Sequence, residues 1–336
     1  MKQASGVESP FGVNDEEGWI VRIVVAGGTG FIGAPLCREL ANGGHEIIVL
    51  SRSVASAQKT LDDGVRTGRH GTRIKVVRWD PGAGEIPLAA IDGADAIVNL
   101  AGESIASGRW TRNRKERILN SRVESVRGLV EAARRAARPP KVLVNASAIG
   151  FYGPHGDEEI REDHPPGNDF LARICVAWEA EAKKAEAHGL RAVLIRIGVV
   201  LGESGGALAQ MATPFRLFAG GPIGTGRQWF SWIHRDDVIG ILRLALEHEE
   251  VRGPVNATGP EPLTMRDFSG TLGRVLGRPS WLPVPEFILR AALGEMSDML
   301  LTGQRVLPAK AIAAGYQFRF ETAEAALRDI LGPRKV

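Results

Sequence analysis

The stretch that most limits what this chain can become is residues 20–33, where an apolar run, Ile20-Val21-Arg22-Ile23-Val24-Val25, passes directly into Ala26-Gly27-Gly28-Thr29-Gly30-Phe31-Ile32-Gly33. Gly27, Gly30 and Gly33 keep a G-x-x-G-x-x-G spacing, and Gly28, Gly30 and Gly33 also keep G-x-G-x-x-G. Lacking side chains, such residues let a chain leave a strand sharply and let backbone N–H groups approach an anion, while the positive end of the next helix faces that charge. At a strand-to-helix junction the pattern indicates a dinucleotide pyrophosphate rather than an ordinary glycine turn.

The rest of the chain alternates as a βαβ unit requires. A helix is expected over 35–42, ending at Gly43-Gly44, then a second buried strand over 45–50. Residues 53–72 read as a polar loop. Strands follow at 73–79, 94–100 and 141–146, with a helix at 113–137 between the last two. A helix over 170–188, capped by Asn168 or Asp169 and closed by Gly189, precedes an apolar strand over 192–200. Near-continuous apolar strands between helices predict an α/β, Rossmann-type doubly wound parallel sheet with ligands at the carboxyl ends of its strands. The expected division is a loose polar leader (1–19), a dinucleotide-binding domain (20–202) and a smaller, mostly helical substrate lobe (203–332). Segments such as 229–259 return to the core. A length of 336 residues, 44% of them hydrophobic, is enough to bury it.

No apolar run approaches the roughly 20 residues a membrane span needs, and the first 19 carry no signal-peptide core. Two cysteines, both in helical patterns, fit a reducing cytoplasm without a disulfide framework. A net charge of +3 without dense basic clusters suits a small anionic ligand and argues against nucleic acid. None of the seven histidines forms a close metal-ligand motif with a second ligand, so no metal site is expected. Oligomerisation is left open.

The end of the second strand selects the dinucleotide. About 20 positions past the last glycine, NAD-binding proteins place an acid on the ribose 2′-hydroxyl. Here Ser51-Arg52 stands instead. A planar, permanently charged guanidinium grips a phosphate through two bonds, so Arg52 favours NADP over NAD.

These landmarks resemble the extended short-chain dehydrogenase/reductase family. GGTGFIG is similar to its cofactor loop, Asn99-Leu100-Ala101-Gly102 to its fourth-strand motif, residues 145–153 to its serine strand and Tyr-Gly turn, and residues 233–238 to its "VDD" segment. The resemblance implies cofactor contacts from Gly27, Gly28, Thr29, Gly30, Phe31, Ile32, Gly33, Ser51, Arg52, Leu100, Ala101, Gly102, Arg122 and Val200. It breaks at the family's Tyr-x-x-x-Lys pair, for Cys175 and Glu179 hold the i and i+4 places and the only tyrosines are Tyr152 and Tyr316. That departure, with "NLAGE", "SAIGFYG" and a helical tail from about 262, is similar to an atypical branch whose members carry the label "epimerase family".

Without the pair, three residues are the catalytic candidates. Ser147 ends a buried strand where a hydroxyl orients a substrate carbonyl or hydroxyl, though it equally suits a backbone contact. Glu103 follows the cofactor-lining turn and is either a general acid or base or a surface ion-pair partner of Arg109 or Arg122. Tyr152 lies on the following loop, as a substrate contact or a packing group. Cys175 and Glu179 are read as helix packing, and His234 as packing beneath the substrate site. Arg109, Arg112, Arg114, Lys115 and Arg117 form an anion clamp or a solvated basic face. Arg227 and Trp229, in a glycine-rich loop, suit an anionic, partly flat ligand or a connecting loop with a packed tryptophan; a nucleotide-sugar-like substrate is what the family resemblance implies. Two functions compete: an NADP-dependent oxidoreductase or epimerase-like enzyme, and a non-catalytic NADP-binding regulator.

Overall fold

The computed structural model describes residues 21–62, 74–203 and 205–332. The expected leader (1–19) lies outside the described residues, as does most of the region before the third strand. Five strands open the fold: β1 (Arg22–Ala26), β2 (Glu46–Ser51), β3 (Ile74–Arg78), β4 (Ala96–Asn99) and β5 (Val142–Ala148). With Arg191–Ile197 and Gly253–Ala257 they form one seven-stranded sheet, ordered β3-β2-β1-β4-β5, then 191–197, then 253–257. Every neighbouring pair is parallel. The strand order reverses between β1 and β4, which opens the crevice where such sheets bind ligands.

Both faces are covered because the central strands carry apolar side chains on both of their faces. Ile23 and Val25 of β1 enter one core and Val24 and Ala26 the other, following the two-residue period of a strand. On the first face lie helix α1 (Gly33–Asn42), through Leu36 and Leu40, and the helix Arg235–Glu247, through Ile241 and Leu242. On the second lie Arg112–Arg135, through Val126 and Leu129, and Phe170–Lys183, through Trp178. Fully burying one large aliphatic side chain contributes about 1.5–3 kcal/mol.

Three local expectations change. Within the expected 53–72 loop, helix α2 (Val54–Asp62) forms and buries Ala57 and Leu61. Those two positions, four apart, supply a whole apolar face in a segment otherwise polar enough to hide it. The 170–188 helix, capped by Asp169 on the Ala172 amide at 2.7 Å, tightens into a 3-10 turn at Lys184–His188 before Gly189 (φ 81°). The 192–200 strand breaks at Gly198, where a Cβ would stand 2.5 Å from the Ser231 carbonyl oxygen. Beyond it Val199–Leu201 leaves the sheet to pair with Trp232–His234.

The C-terminal region carries the helices Met265–Leu276, Glu286–Leu293 and Ala323–Leu331. A separate core of Phe230, Trp232, Phe268, Leu272 and Leu327 holds part of it together. Among the described residues, no helix is long and apolar enough to cross a membrane.

Candidate functional site

The crevice between β1 and β4 is built by the glycine turn. Gly27 takes φ 79°, and a Cβ there would lie 2.6 Å from the carbonyl carbon of Leu100 on the β4 side. A Cβ on Gly33 would come within 2.2 Å of the Gly27 carbonyl oxygen, and one on Gly28 would press on Cys37 and Val49 at 3.0 Å. Exposed Gly30 differs, since its Cβ would meet only the Gly27 carbonyl, at 3.2 Å. Three glycines therefore serve the fold, and the fourth leaves the outer surface of the turn bare. Helix α1 starts there with Ile32 at its N-cap and no side-chain cap; the Ala34 amide already donates to the Gly30 carbonyl at 3.0 Å, so it is chiefly the helix dipole that favours an outside anion. Phe31 turns away, its ring packed against Gly202, Gly205 and Gly206 under the Arg235 guanidinium. Val200 sits nearby in the short 199–201 strand.

At the carboxyl end of β2, Ser51 is tied to the Ser53 backbone at 3.2 Å. Arg52 is exposed and, among the described residues, has no hydrogen-bond or ion-pair partner. The bare turn, the uncapped helix and the unengaged cation fit a dinucleotide carrying an extra phosphate.

Beyond β4 the chain is braced by polar bonds. Asn99 is buried and joins Asn145 at 2.7 Å, Ser125 at 3.1 Å and the Ala101 amide at 3.2 Å, which shapes the Leu100-Ala101-Gly102 turn. Arg122 lies against Gly102, donates to the carbonyls of Glu103 and Ile118 at 3.0 Å each, and stacks over Trp178. Burial pulls its pKa below the usual arginine value. The Glu103 carboxylate pairs with Arg117 at 3.3 Å and Arg114 at 3.8 Å, neither of the two partners expected from sequence. The basic run is correspondingly more structural than a solvated face: Arg109 donates to the carbonyls of Ala291 and Ala292, and Lys115 pairs with Glu295. These contacts strap the otherwise unburied helix Glu286–Leu293 across the loop after β4.

Where the family keeps its tyrosine and lysine, this chain has built a buried salt bridge. Ser147, 3% exposed, donates to Glu179 at 2.7 Å. Glu179 receives two bonds from Arg196, at 2.8 and 2.9 Å. Arg196 donates further to the Tyr152 hydroxyl at 2.9 Å, and that hydroxyl donates to Asn256 at 2.6 Å. Tyr152 is fully buried and serves as a pillar of this network, the packing alternative of the sequence reading. Burial, then the Glu179 charge, pushes the Cys175 thiol up to about 12, which keeps it protonated and unreactive at neutral pH.

His234 is buried against Phe320 and accepts from the Asp236 amide at 3.1 Å, capping the next helix. Trp229 is held by Asp157 at 2.8 Å and lies under Arg305, while Arg227 is exposed. The histidines, which show no ligand spacing in sequence, do meet at one place: ligand atoms of His155, Glu158 and His164 lie within 4.8 Å of one another.

Sequence reasoning missed Arg196, Asn256 and Asn145. Arg196 had a visible signal, a lone cation inside an apolar strand, which is almost never buried unless paired.

Fold and site together define a dinucleotide-binding α/β protein of the short-chain dehydrogenase type that lacks the tyrosine–lysine pair. The chain belongs to the NAD dependent epimerase/dehydratase family, whose model matches residues 23–257. Residues 284–330 match a domain of unknown function, DUF1731. It is 40% identical over 316 residues to the epimerase family protein YfhF of Bacillus subtilis, covering 94% of this chain and 99% of that one. The crystal structure of the human epimerase family protein SDR39U1 (isoform2) with NADPH superposes with a TM-score of 0.78 at 37% identity, over 92% of this chain and 99% of that one. A UDP-glucuronic acid 4-epimerase from Bacillus cereus, at 16% identity and a TM-score of 0.74 over 92% and 97% of the two chains, shares the fold.

Proposed function

We propose that this chain is an NADP(H)-dependent oxidoreductase acting on a small polar or anionic substrate at the carboxyl ends of β4 and β5, with 203–332 supplying the substrate lobe. The observation that carries it is the unengaged Arg52 guanidinium beside a bare glycine turn. The NADPH bound in the related human structure supports the cofactor choice. The residues from Gly27 to Gly33 hold the pyrophosphate, Arg52 the 2′-phosphate, and the Asn99-braced turn at 100–102 lines the cofactor. The bound cofactor supplies hydride exchange. Ser147, whose proton is committed to Glu179, presents only lone pairs and therefore orients a substrate hydroxyl as acceptor. Glu179 is held by Arg196 and positions Ser147. Glu103, at the rim, exchanges the proton with water. Arg227, the exposed cation of the glycine-rich loop, receives an anionic substrate group.

Arg52→Ala is expected to weaken NADPH binding by roughly 10–100-fold, the worth of a charge-assisted bond of about 1.5–3 kcal/mol, and to leave NADH binding within a factor of two. Calorimetric titration of both nucleotides checks this; an equal loss for both would remove Arg52 from the phosphate. Ser147→Ala is expected to keep NADPH affinity and lower turnover roughly a hundredfold, as mispositioned substrates do. NADPH oxidation at background rate across carbonyl and nucleotide-sugar panels would sink the enzymatic reading.

The replaced pair favours one second reading, a regulator that reports NADP occupancy without catalysis. It requires two states of different cofactor affinity, so identical limited-proteolysis patterns with and without NADPH would count it out.

A further inference from the structure

We propose that His155, Glu158 and His164 bind one divalent transition-metal ion of the zinc class. They sit on the segment between β5 and the Phe170–Lys183 helix. Nδ1 of His155 lies 2.5 Å from a Glu158 oxygen, and the two imidazoles meet edge to face with centroids 4.7 Å apart.

The other ring nitrogens distinguish this group from surface histidines that happen to be neighbours. Nε2 of His155 lies 2.9 Å from the Tyr152 carbonyl, and Nδ1 of His164 lies 3.1 Å from the Pro165 carbonyl. A carbonyl only accepts, so each ring carries a proton on that side, and Nδ1 of His155 and Nε2 of His164 are left as ligand atoms. Fixing a histidine's tautomer through a backbone carbonyl on its far nitrogen is what protein metal sites do. In the metal-free protein a proton holds the 2.5 Å contact between Nδ1 of His155 and the Glu158 carboxylate, and an incoming metal ion displaces it as the two ligand atoms open to about 3.3 Å. A single proton serves that pair, and a metal ion serves all three residues at once.

Two nitrogens and a carboxylate are the donor set of a three-ligand zinc centre, with water in the fourth place. Ligand atoms around a tetrahedral zinc stand about 3.3 Å apart, given bonds of about 2.0–2.1 Å. Closing a group spread over 4.8 Å therefore takes about 1.5 Å of side-chain movement at its widest. The backbone is already set: the His155 amide donates to Gly303 at 3.0 Å, and the Gly167 amide to Phe151 at 2.9 Å. Because His155 holds the Tyr152 carbonyl and the Tyr152 hydroxyl holds Arg196, an ion here stiffens the scaffold behind Ser147.

The test uses the full-length, untagged protein, stripped with chelator and titrated with Co²⁺ alone. We expect one equivalent bound per chain, with visible d–d absorption that Zn²⁺ abolishes. Glu158→Gln and His164→Gln, each verified as folded by circular dichroism, should weaken Co²⁺ at least about tenfold. His188→Gln, at an exposed position elsewhere, should bind as wild type does. No binding by folded wild-type protein, or unchanged affinity in both Glu158→Gln and His164→Gln, overturns the assignment.

Discussion

Gly27→Ala should abolish NADPH binding and destabilise the protein by about 3 kcal/mol or more. Two costs add. An alanine at φ 79° pays for a left-handed backbone, about 1–3 kcal/mol. Its Cβ would also stand 2.6–2.8 Å from backbone atoms of Leu100 and Ala101, which cannot rotate away, adding about 1–3 kcal/mol of overpacking. The relief is to push β4 away from β1, and that movement widens the crevice the cofactor needs. Gly30→Ala separates the two effects, because its Cβ meets only one carbonyl at 3.2 Å. It should unfold in urea within about 1 kcal/mol of wild type and still lose roughly tenfold or more in NADPH affinity, since the methyl occupies the face left for phosphate. Urea unfolding and calorimetry on the two variants read this directly. If Gly27→Ala binds NADPH within threefold of wild type, the turn is not the cofactor cradle.

That turn was legible in the sequence because its demands are local: backbone angles, close approach and a helix start are all encoded within eight residues. The strands were legible for a similar reason, since a parallel sheet covered on both faces reads as near-continuous apolar runs. What escaped was set by contacts distant in sequence. Ala57 and Leu61 make a helix only because α1 offers them a surface, and Gly198 ends a strand because Ser231 passes behind it. Within the site, Ser147 and Glu179 were both noticed, but their joint role depends on Arg196, which arrives from a different strand. Glu103 likewise meets Arg114 and Arg117, partners fixed by how the Arg112–Arg135 helix starts, not by spacing alone. Irregular loops are the hardest case. His155, Glu158 and His164 follow no helical or strand period, so only the folded path of the loop brings them together.

The Glu179–Arg196 pair carries the other large expected effect. Glu179→Ala leaves a guanidinium that is 3% exposed without its counter-charge, and Arg196→Ala leaves the carboxylate in the same position. Removing one partner of a buried pair costs about 3–5 kcal/mol, because the remaining charge stays out of water. Replacing both, as Glu179→Met with Arg196→Met, should cost well under the sum of the single changes, since two apolar side chains of similar volume leave no charge behind. Urea denaturation of the four proteins gives the coupling, and additive costs would mean the pair is not buried as a unit. Activity should separate from stability in this set. The double variant folds yet leaves Ser147 without the carboxylate that takes its proton, so NADPH affinity is retained while turnover falls as in Ser147→Ala. Reinstating the family pattern with Cys175→Tyr and Glu179→Lys should fail for the same electrostatic reason. The new ammonium would face Arg196 in a dry interior, so the chain recovers a tyrosine–lysine pair only if Arg196 is neutralised as well.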